Sequence, residues 1–176
     1  MIIGTIKTIF DLDINYLKEQ GIKALISDLD QTLSSAFSSL PEDRVYILKK
    51  ELEENGIKLF IISNNFKKRV KNYCEKLDVN YLSFALKFTS LRVKKWLKKQ
   101  NLKVEDCIFV GDQLRTDGKL TNKLHARLIL TTPLDKKDNI YTKIFRKKDL
   151  KYIQKLKKEN KLGIELPQKG GTNNVL

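Results

Sequence analysis

The tightest constraint on this chain is a series of short apolar runs, each too brief for a helix and each separated from the next by a stretch with helical spacing. Residues 22–27 (IKALIS), 57–62 (IKLFII), 81–84, 107–110 (CIFV) and 128–131 (LILT) are rich in β-branched or aromatic residues and read as buried strands. Between them Val45, Leu48 and Leu52, then Phe66, Val70, Tyr73, Cys74 and Leu77, then Val93, Trp96 and Leu97 recur at spacings of three and four, the period of an amphipathic helix. Regular alternation of strand and helix predicts a parallel sheet covered on both faces through right-handed crossovers. Chemistry is then expected at the carboxyl ends of the strands. Pro41 suits a first helical turn and Gly56 a residue just past a helix end. Asp13 is placed to cap a short helix ending at Gln20, with Gly21 as its stop.

The chain is about the right length for one compact domain, and its 41% hydrophobic content is enough for a core. The reading is a domain over residues 1–160, with a core at about 20–135 and a basic helical extension at about 143–160. Residues 161–176, polar and rich in Gly and Asn (QKGGTNN), read as a flexible tail. No apolar stretch approaches the roughly 18 residues needed to span a bilayer, and residues 1–10 lack the pattern of a secretion signal. Cys74 and Cys107 show neither metal-ligand nor disulfide spacing and read as core residues. A reduced, cytoplasmic setting fits these features.

Directly after the first apolar run comes Asp28-Leu29-Asp30-Gln31-Thr32, which sends two carboxylates off the sheet edge into one site. One carboxylate can attack phosphorus while the other protonates the leaving oxygen and then activates water. A second pair, Asp11 and Asp13, precedes a helix, where capping accounts for it better. The second run ends in Ser63-Asn64-Asn65, a hydroxyl and backbone amides suited either to phosphoryl oxygens or to capping the next helix. Lys87 follows the third run; one lysine among so many reads as a solvated charge, and its placement after a strand is what marks it. The fourth run leads into Gly111-Asp112-Gln113-Leu114-Arg115-Thr116-Asp117, which is a turn in isolation or, with its two carboxylates, a corner for Mg²⁺. His125 is the only histidine, so histidine-dependent serine or cysteine triads lack a credible site and it is assigned a structural role. No Gly-rich loop with Lys and Ser or Thr is present to suit a P-loop nucleotidase.

These four segments, DLDQT, SNN, Lys87 and GDQLRTD, follow successive apolar runs in order. In this the sequence resembles the haloacid dehalogenase (HAD) phosphatases, whose motifs are DxDxT, a strand-end Ser or Thr, a Lys, and GDxxxxD. It looks most like the small YqeG-type group of subfamily IIIA character, similar to phosphatidylglycerophosphate phosphatases, over roughly residues 8–150. The resemblance implies a HAD-like Rossmannoid α/β fold, with a five-stranded parallel sheet, helices on both faces and little or no cap. It implies that Asp28 forms an aspartyl-phosphate, that Asp30 serves as general acid and then base, and that Ser63, Asn64 and Lys87 hold phosphoryl oxygens. Mg²⁺ would be bound by the carboxylates of Asp28 and Asp112 and the backbone carbonyl of Asp30, and Asp117 would orient Lys87 or a water on the metal. Gln31 departs from a usual Asn, Phe88 from a common Pro, and Gly118-Lys119-Leu120 from a glycine-rich continuation. None of the three removes a catalytic group.

The intervals between motifs leave little room for a cap domain, and an open site suits a phosphate carried on a large object such as a lipid headgroup, a protein or a nucleic-acid end. The net charge of +14 favours anionic partners: a phosphorylated substrate, an acidic membrane surface, nucleic acid or ribosomes. Solvated lysines are the plainer account of the same charge. Residues 143–158 (KIFRKKDLKYIQKLKK) place Ile144, Phe145, Leu150, Ile153 and Leu156 among lysines. As a helix this segment would either lie on an anionic membrane or dock on the sheet. Aromatic residues are not visibly interleaved with the basic runs, which weighs against a nucleic-acid-binding module. The leading expectation is a phosphomonoesterase acting on phosphatidylglycerophosphate. A phosphoprotein or nucleotide phosphatase and a ribosome- or nucleic-acid-associated protein are the alternatives.

Overall fold

The structure, a computed structural model, describes residues 2–35 and 38–135 together with Lys151, Gln154, Lys155, Lys158, Leu166, Gln168 and Lys169. In chain order the elements are β1 (Ile2–Ile6), α1 (Ile14–Glu19), β2 (Ala24–Ser27), α2 (Asp43–Glu54), β3 (Lys58–Ile62), α3 (Lys67–Leu77), β4 (Asn80–Leu82), α4 (Leu91–Lys99), β5 (Cys107–Gly111), α5 (Lys119–Leu124) and β6 (Arg127–Thr131). All strand pairings are parallel, in the order β1-β6-β5-β2-β3-β4. The chain runs outward from β2 to β4 on one side and then crosses to β5 on the other. The β2/β5 boundary is therefore the topological switch point, where open α/β sheets build their sites.

The sheet has six strands where five are expected from the sequence. The additional strand is β1, an edge strand paired with β6, with an irregularity between Ile2 and Gly4. Its partner lies more than a hundred residues away, and a five-residue segment containing Gly has little strand signal without it.

Alternation along the strands divides the core in two. Leu25, Ile61, Ile108 and Val110 face α1, α2 and α3, and meet Leu17, Leu52 and Tyr73 there. Ile26, Phe60, Phe109 and Leu128 face α4 and α5, where Trp96 packs edge-on against Phe60 with ring centroids 5.6 Å apart. Each buried aliphatic of this kind contributes about 1.5–3 kcal/mol. Both cysteines are in this core, and burial pushes each thiol up to about 12.

The helix boundaries follow local chemistry. Asp13 accepts a hydrogen bond from Tyr16 N at 3.2 Å, and Asp11 accepts from both the backbone N and the hydroxyl of Thr8. The Asp11/Asp13 pair is thus engaged in capping. Gly21 and Gly56 take the left-handed conformation after α1 and α2, with φ of 69° and 73°, which a side chain disfavours. Pro41 lies just before the N-cap of α2, Glu42, not within the first turn. His125 ends α5 in the left-handed region.

Part of the stretch read as a flexible tail is packed. Leu166 is buried against the α1 side of the core, Gln168 bridges Leu12, and Lys169 pairs with Glu51. An apolar side chain inside a polar run is enough to dock it when a groove is available. The apolar residues of the basic extension, Ile144, Phe145, Leu150, Ile153 and Leu156, lie outside the described residues. Of that extension Lys151, Gln154, Lys155 and Lys158 are described, as helical and exposed. Among the described residues no helix is long and apolar enough to cross a membrane.

Candidate active site

Register brings the expected residues to one edge of the sheet. Ser27 of β2 pairs with Val110 of β5 on one side and Ile61 of β3 on the other, and Asp28 N donates to Val110 O at 2.8 Å. Asp28 therefore sits beside Gly111 and Asp112, with Ser63 leaving the neighbouring strand.

At the centre is a buried ion triad. Lys87, 1% exposed, places its Nζ 2.5 Å from Asp28 Oδ1 and 2.7 Å from Asp117 Oδ1. It is a core cation and not a solvated charge. Burial by itself would lower the Lys87 pKa, but the Asp117 and Asp28 carboxylates outweigh it and hold the ammonium above its ordinary range. Burial raises Asp28 from 3.8 to about 7 against the pull of Lys87, and the charges of Asp117 and Asp30 add to the rise.

A π-helical turn, Leu114–Gly118, returns Asp117 over the strand end, with Asp117 N donating to Gln113 O at 2.8 Å. Such turns concentrate at functional sites. Gly111 is what makes room: a Cβ there would lie 2.4 Å from Asp117 Cγ and 2.8 Å from Asp117 Cβ. Gly111→Ala is expected to displace Asp117 from Lys87, cost about 1–3 kcal/mol by overpacking, and lower phosphate release at least tenfold. Thermal unfolding and single-substrate kinetics on the purified variant test this.

Asp30 faces away from the triad, toward β3 and α3. Its Oδ2 accepts from Asn65 Nδ2 at 3.2 Å and Ser63 Oγ at 3.4 Å, while its Oδ1 pairs with Arg69. Arg69 also donates to the carbonyls of Ser35 and Ser38, so one guanidinium links α3, Asp30 and the loop after β2. Sequence reading did not find Arg69. It is one basic residue in a run of them, and its position in the first turn of α3, aimed at the strand ends, is the one signal that marks it out. Removing the general acid matters least when the leaving group needs no proton. Arg69→Ala is therefore expected to slow hydrolysis of alkyl phosphates at least tenfold more than that of p-nitrophenyl phosphate, with partial rescue by Lys. Equal losses on both substrates would make Arg69 a structural brace only.

Asn64 Oδ1 accepts from Lys87 N at 3.0 Å and ties the β3 exit loop to the β4 exit loop. Neither Ser63 nor Asn64 caps α3, whose N-cap is Phe66 without a side-chain bond. Ser63 Oγ instead accepts from Asn65 N at 3.0 Å. Gln31 adopts φ 66°, a conformation Asn takes more readily. Its longer amide reaches Asp135 N at 2.8 Å, a contact that ties the β6 exit to the site loop.

The donor set fits Mg²⁺. Asp28 and Asp112 leave the adjacent strands β2 and β5 at one end of the sheet, and Asp117 meets Asp28 across Lys87, so hard carboxylate oxygen atoms of the kind Mg²⁺ takes lie on one edge. Among the described residues no three His, Cys, Asp or Glu side chains form a metal cage. Mg²⁺ needs no such cage, because it keeps several waters and takes one or two carboxylates plus substrate oxygen.

A doubly covered parallel sheet with paired aspartates at its switch point, a buried lysine and a strand-end serine defines a phosphoryl-transfer hydrolase. The chain belongs to the haloacid dehalogenase-like hydrolases, whose family model matches residues 3–130. It is 32% identical over 154 residues to the probable phosphatase YqeG of Bacillus subtilis, spanning 88% of this chain and 90% of that protein. The fold is similar to that of an uncharacterised protein from Listeria monocytogenes serotype 4b (TM-score 0.53, 11% identity, 67% of this chain and 85% of that one). It is also similar to that of a structure from Streptomyces avermitilis assigned to the HAD family (TM-score 0.52, 18% identity, 66% and 76%). The enzyme is a HAD-type phosphatase with Mg²⁺ as its cofactor.

Proposed function

We propose that the enzyme removes the terminal phosphate of a phospholipid headgroup, phosphatidylglycerophosphate being the leading substrate, through an aspartyl-phosphate on Asp28. The observation that carries the chemistry is the buried contact of Asp28 with Lys87 at 2.5 Å, directly beside a second aspartate held by its own donors. Asp28 attacks phosphorus as the bond to the leaving oxygen breaks, and Asp30 gives that oxygen a proton. Asp30 then takes a proton from the water that attacks phosphorus, which frees inorganic phosphate and restores Asp28. Ser63 and Lys87 donate to the phosphoryl oxygens, and Asp117 holds Lys87 in place. Mg²⁺, held by the carboxylates of Asp28 and Asp112 and the carbonyl of Asp30, would supply positive charge to the transferring phosphoryl group.

Two features support a lipid substrate over a small metabolite. Among the described residues the interval between Asp30 and α2, like that between Ser63 and β4, holds no inserted domain to stand between the strand ends and a phosphate presented on a surface. The net charge of +14 favours approach to an anionic bilayer. The test is Mg²⁺-dependent phosphate release from phosphatidylglycerophosphate in mixed micelles against a panel of nucleotides, sugar phosphates and a phosphopeptide. A kcat/KM for the lipid at least a hundredfold above the panel is expected. Preference for a phosphopeptide or nucleotide would replace the lipid, and no turnover of any of them would leave a ribosome- or nucleic-acid-associated role.

A further inference from the structure

Beside the site, four large apolar side chains stand in solvent: Phe66 is 78% exposed, Leu91 72%, Phe88 57% and Phe84 47%. They are not scattered. The rings of Phe66 and Phe84 stack with centroids 6.4 Å apart, and Arg92 lies over the Phe84 ring. Phe66 is three residues past Ser63, and Phe84 and Phe88 bracket Lys87.

The backbone of the β4–α4 loop accounts for this arrangement. Phe84 and Leu86 both adopt the left-handed region, with φ of 48° and 49°, uncommon for bulky residues and retained only where surroundings enforce it. The enforcing contacts are Phe84 N to Asn65 O and Ala85 N to Ser63 O, at 3.0 and 2.9 Å. The resulting zigzag buries Ala85 and Lys87 while it turns Phe84 and Phe88 outward. One loop therefore aims the phosphate-binding lysine inward and an apolar surface outward, on the same edge of the sheet.

The two segments that carry this surface have charge of one sign, the neighbouring carboxylates being those of the site itself. Residues 62–74 and 83–104 contain no Asp or Glu, while Lys67, Lys68, Arg92, Lys94 and Lys95 are exposed there. Apolar side chains ringed by lysine and arginine are the composition of a surface that enters the headgroup region of an anionic bilayer. A second copy of the chain fits poorly, because a two-fold interface would bring the same positive patches together. A nucleic acid fits less well: one face of Phe66 and of Phe84 is taken by the other ring, Arg92 lies over Phe84, and a leucine offers bases no stacking platform.

We propose that Phe66, Phe84, Phe88 and Leu91, with their basic surround, form the surface on which the enzyme seats on an anionic lipid membrane, with the catalytic edge facing the headgroups. This rests on the lipid-phosphate reading of the site and adds to it the contact that presents the bilayer to Asp28.

The experiment is sedimentation of the full chain with phosphatidylglycerol or phosphatidylcholine vesicles at low salt, using wild type and the triple variant Phe66→Ser/Phe88→Ser/Leu91→Ser. Binding to phosphatidylglycerol is expected to exceed that to phosphatidylcholine at least tenfold. The triple variant should lose at least tenfold of it, with an unchanged circular dichroism spectrum. Phe66→Trp should show a blue-shifted emission on phosphatidylglycerol vesicles, against a background from the buried Trp96. Full vesicle binding by the triple variant, or no preference of the wild type for phosphatidylglycerol, overturns the proposal. A wild-type dimer that becomes monomeric in the triple variant without change in vesicle binding overturns it in favour of self-association. Displacement from vesicles by single-stranded RNA, with RNA binding lost in the triple variant, overturns it in favour of nucleic acid. The vesicles carry no phosphomonoester, so binding lost in the triple variant alongside no turnover of phosphatidylglycerophosphate would sink the substrate assignment alone.

Discussion

Asp28→Asn is expected to abolish phosphate release, by at least a thousandfold, while leaving the protein as stable as the wild type or more so. An amide is isosteric with the carboxylate but is a far weaker nucleophile, and loss of a covalent nucleophile is among the largest single-residue effects known in enzymes. The stability sign comes from the triad. Asp28 and Asp117 share one ammonium at 2.5 and 2.7 Å, so neutralising Asp28 leaves Lys87 and Asp117 as a matched pair and relieves a carboxylate whose burial raises its pKa. Phosphate release and thermal unfolding in the same buffer without Mg²⁺ read both halves. Residual activity within tenfold of wild type would remove Asp28 from its role.

Lys87→Met is expected to lose activity as well, with the opposite effect on stability. Methionine fills much of the lysine volume, but two carboxylates then remain buried without their cation. Breaking a buried pair in this way costs about 3–5 kcal/mol. The cost should depend on pH. In the wild type Asp28 is already raised from 3.8 to about 7, and removal of Lys87 takes away the attraction that opposes that rise. An acid whose folded pKa exceeds its unfolded value penalises folding fully above the folded value, and the penalty disappears as pH falls toward the unfolded value. Denaturant unfolding without Mg²⁺ should therefore show a larger deficit at pH 8 than at pH 5. An equal deficit at both would mean that packing, not charge, is what Lys87 supplies.

The two variants separate two contributions to one site. On the proposed mechanism the carboxylate of Asp28 is held for chemistry at some expense to the fold, and Lys87 makes that carboxylate tolerable. Buried charge of this kind is weak evidence for stability and stronger evidence for function.

Much of this arrangement was legible in the sequence because it depends on local order along the chain. The strands β2 to β6 announce themselves as apolar runs, and a parallel sheet brings the residues just past each strand to one edge. Asp28, Asp30, Ser63, Lys87, Asp112 and Asp117 are therefore assigned to one region by position alone. The caps at Asp13, Gly21 and Gly56 are equally local, since a side-chain oxygen or a missing Cβ acts within a turn of its own residue.

What the sequence could not decide depends on partners distant along the chain. β1 exists because β6 supplies its hydrogen bonds, and Leu166 is buried because Leu12 and its neighbours leave a groove for it. Arg69 reaches Asp30 only through the packing of α3 on the sheet, and apart from its place in the first turn of α3 little in FKKRVKN distinguishes it from its neighbours. The bond from Lys87 N to Asn64 Oδ1, which fastens the Lys87 loop, joins residues 23 apart and leaves no mark in the sequence. The exposed aromatic surface has the same origin. Phe84 and Phe88 read as ordinary apolar residues until two left-handed turns, enforced by the loop after β3, face them outward and Lys87 inward. Periodicity along the sequence determined which residues meet at the catalytic edge, and long-range backbone contacts decided which way each of them points.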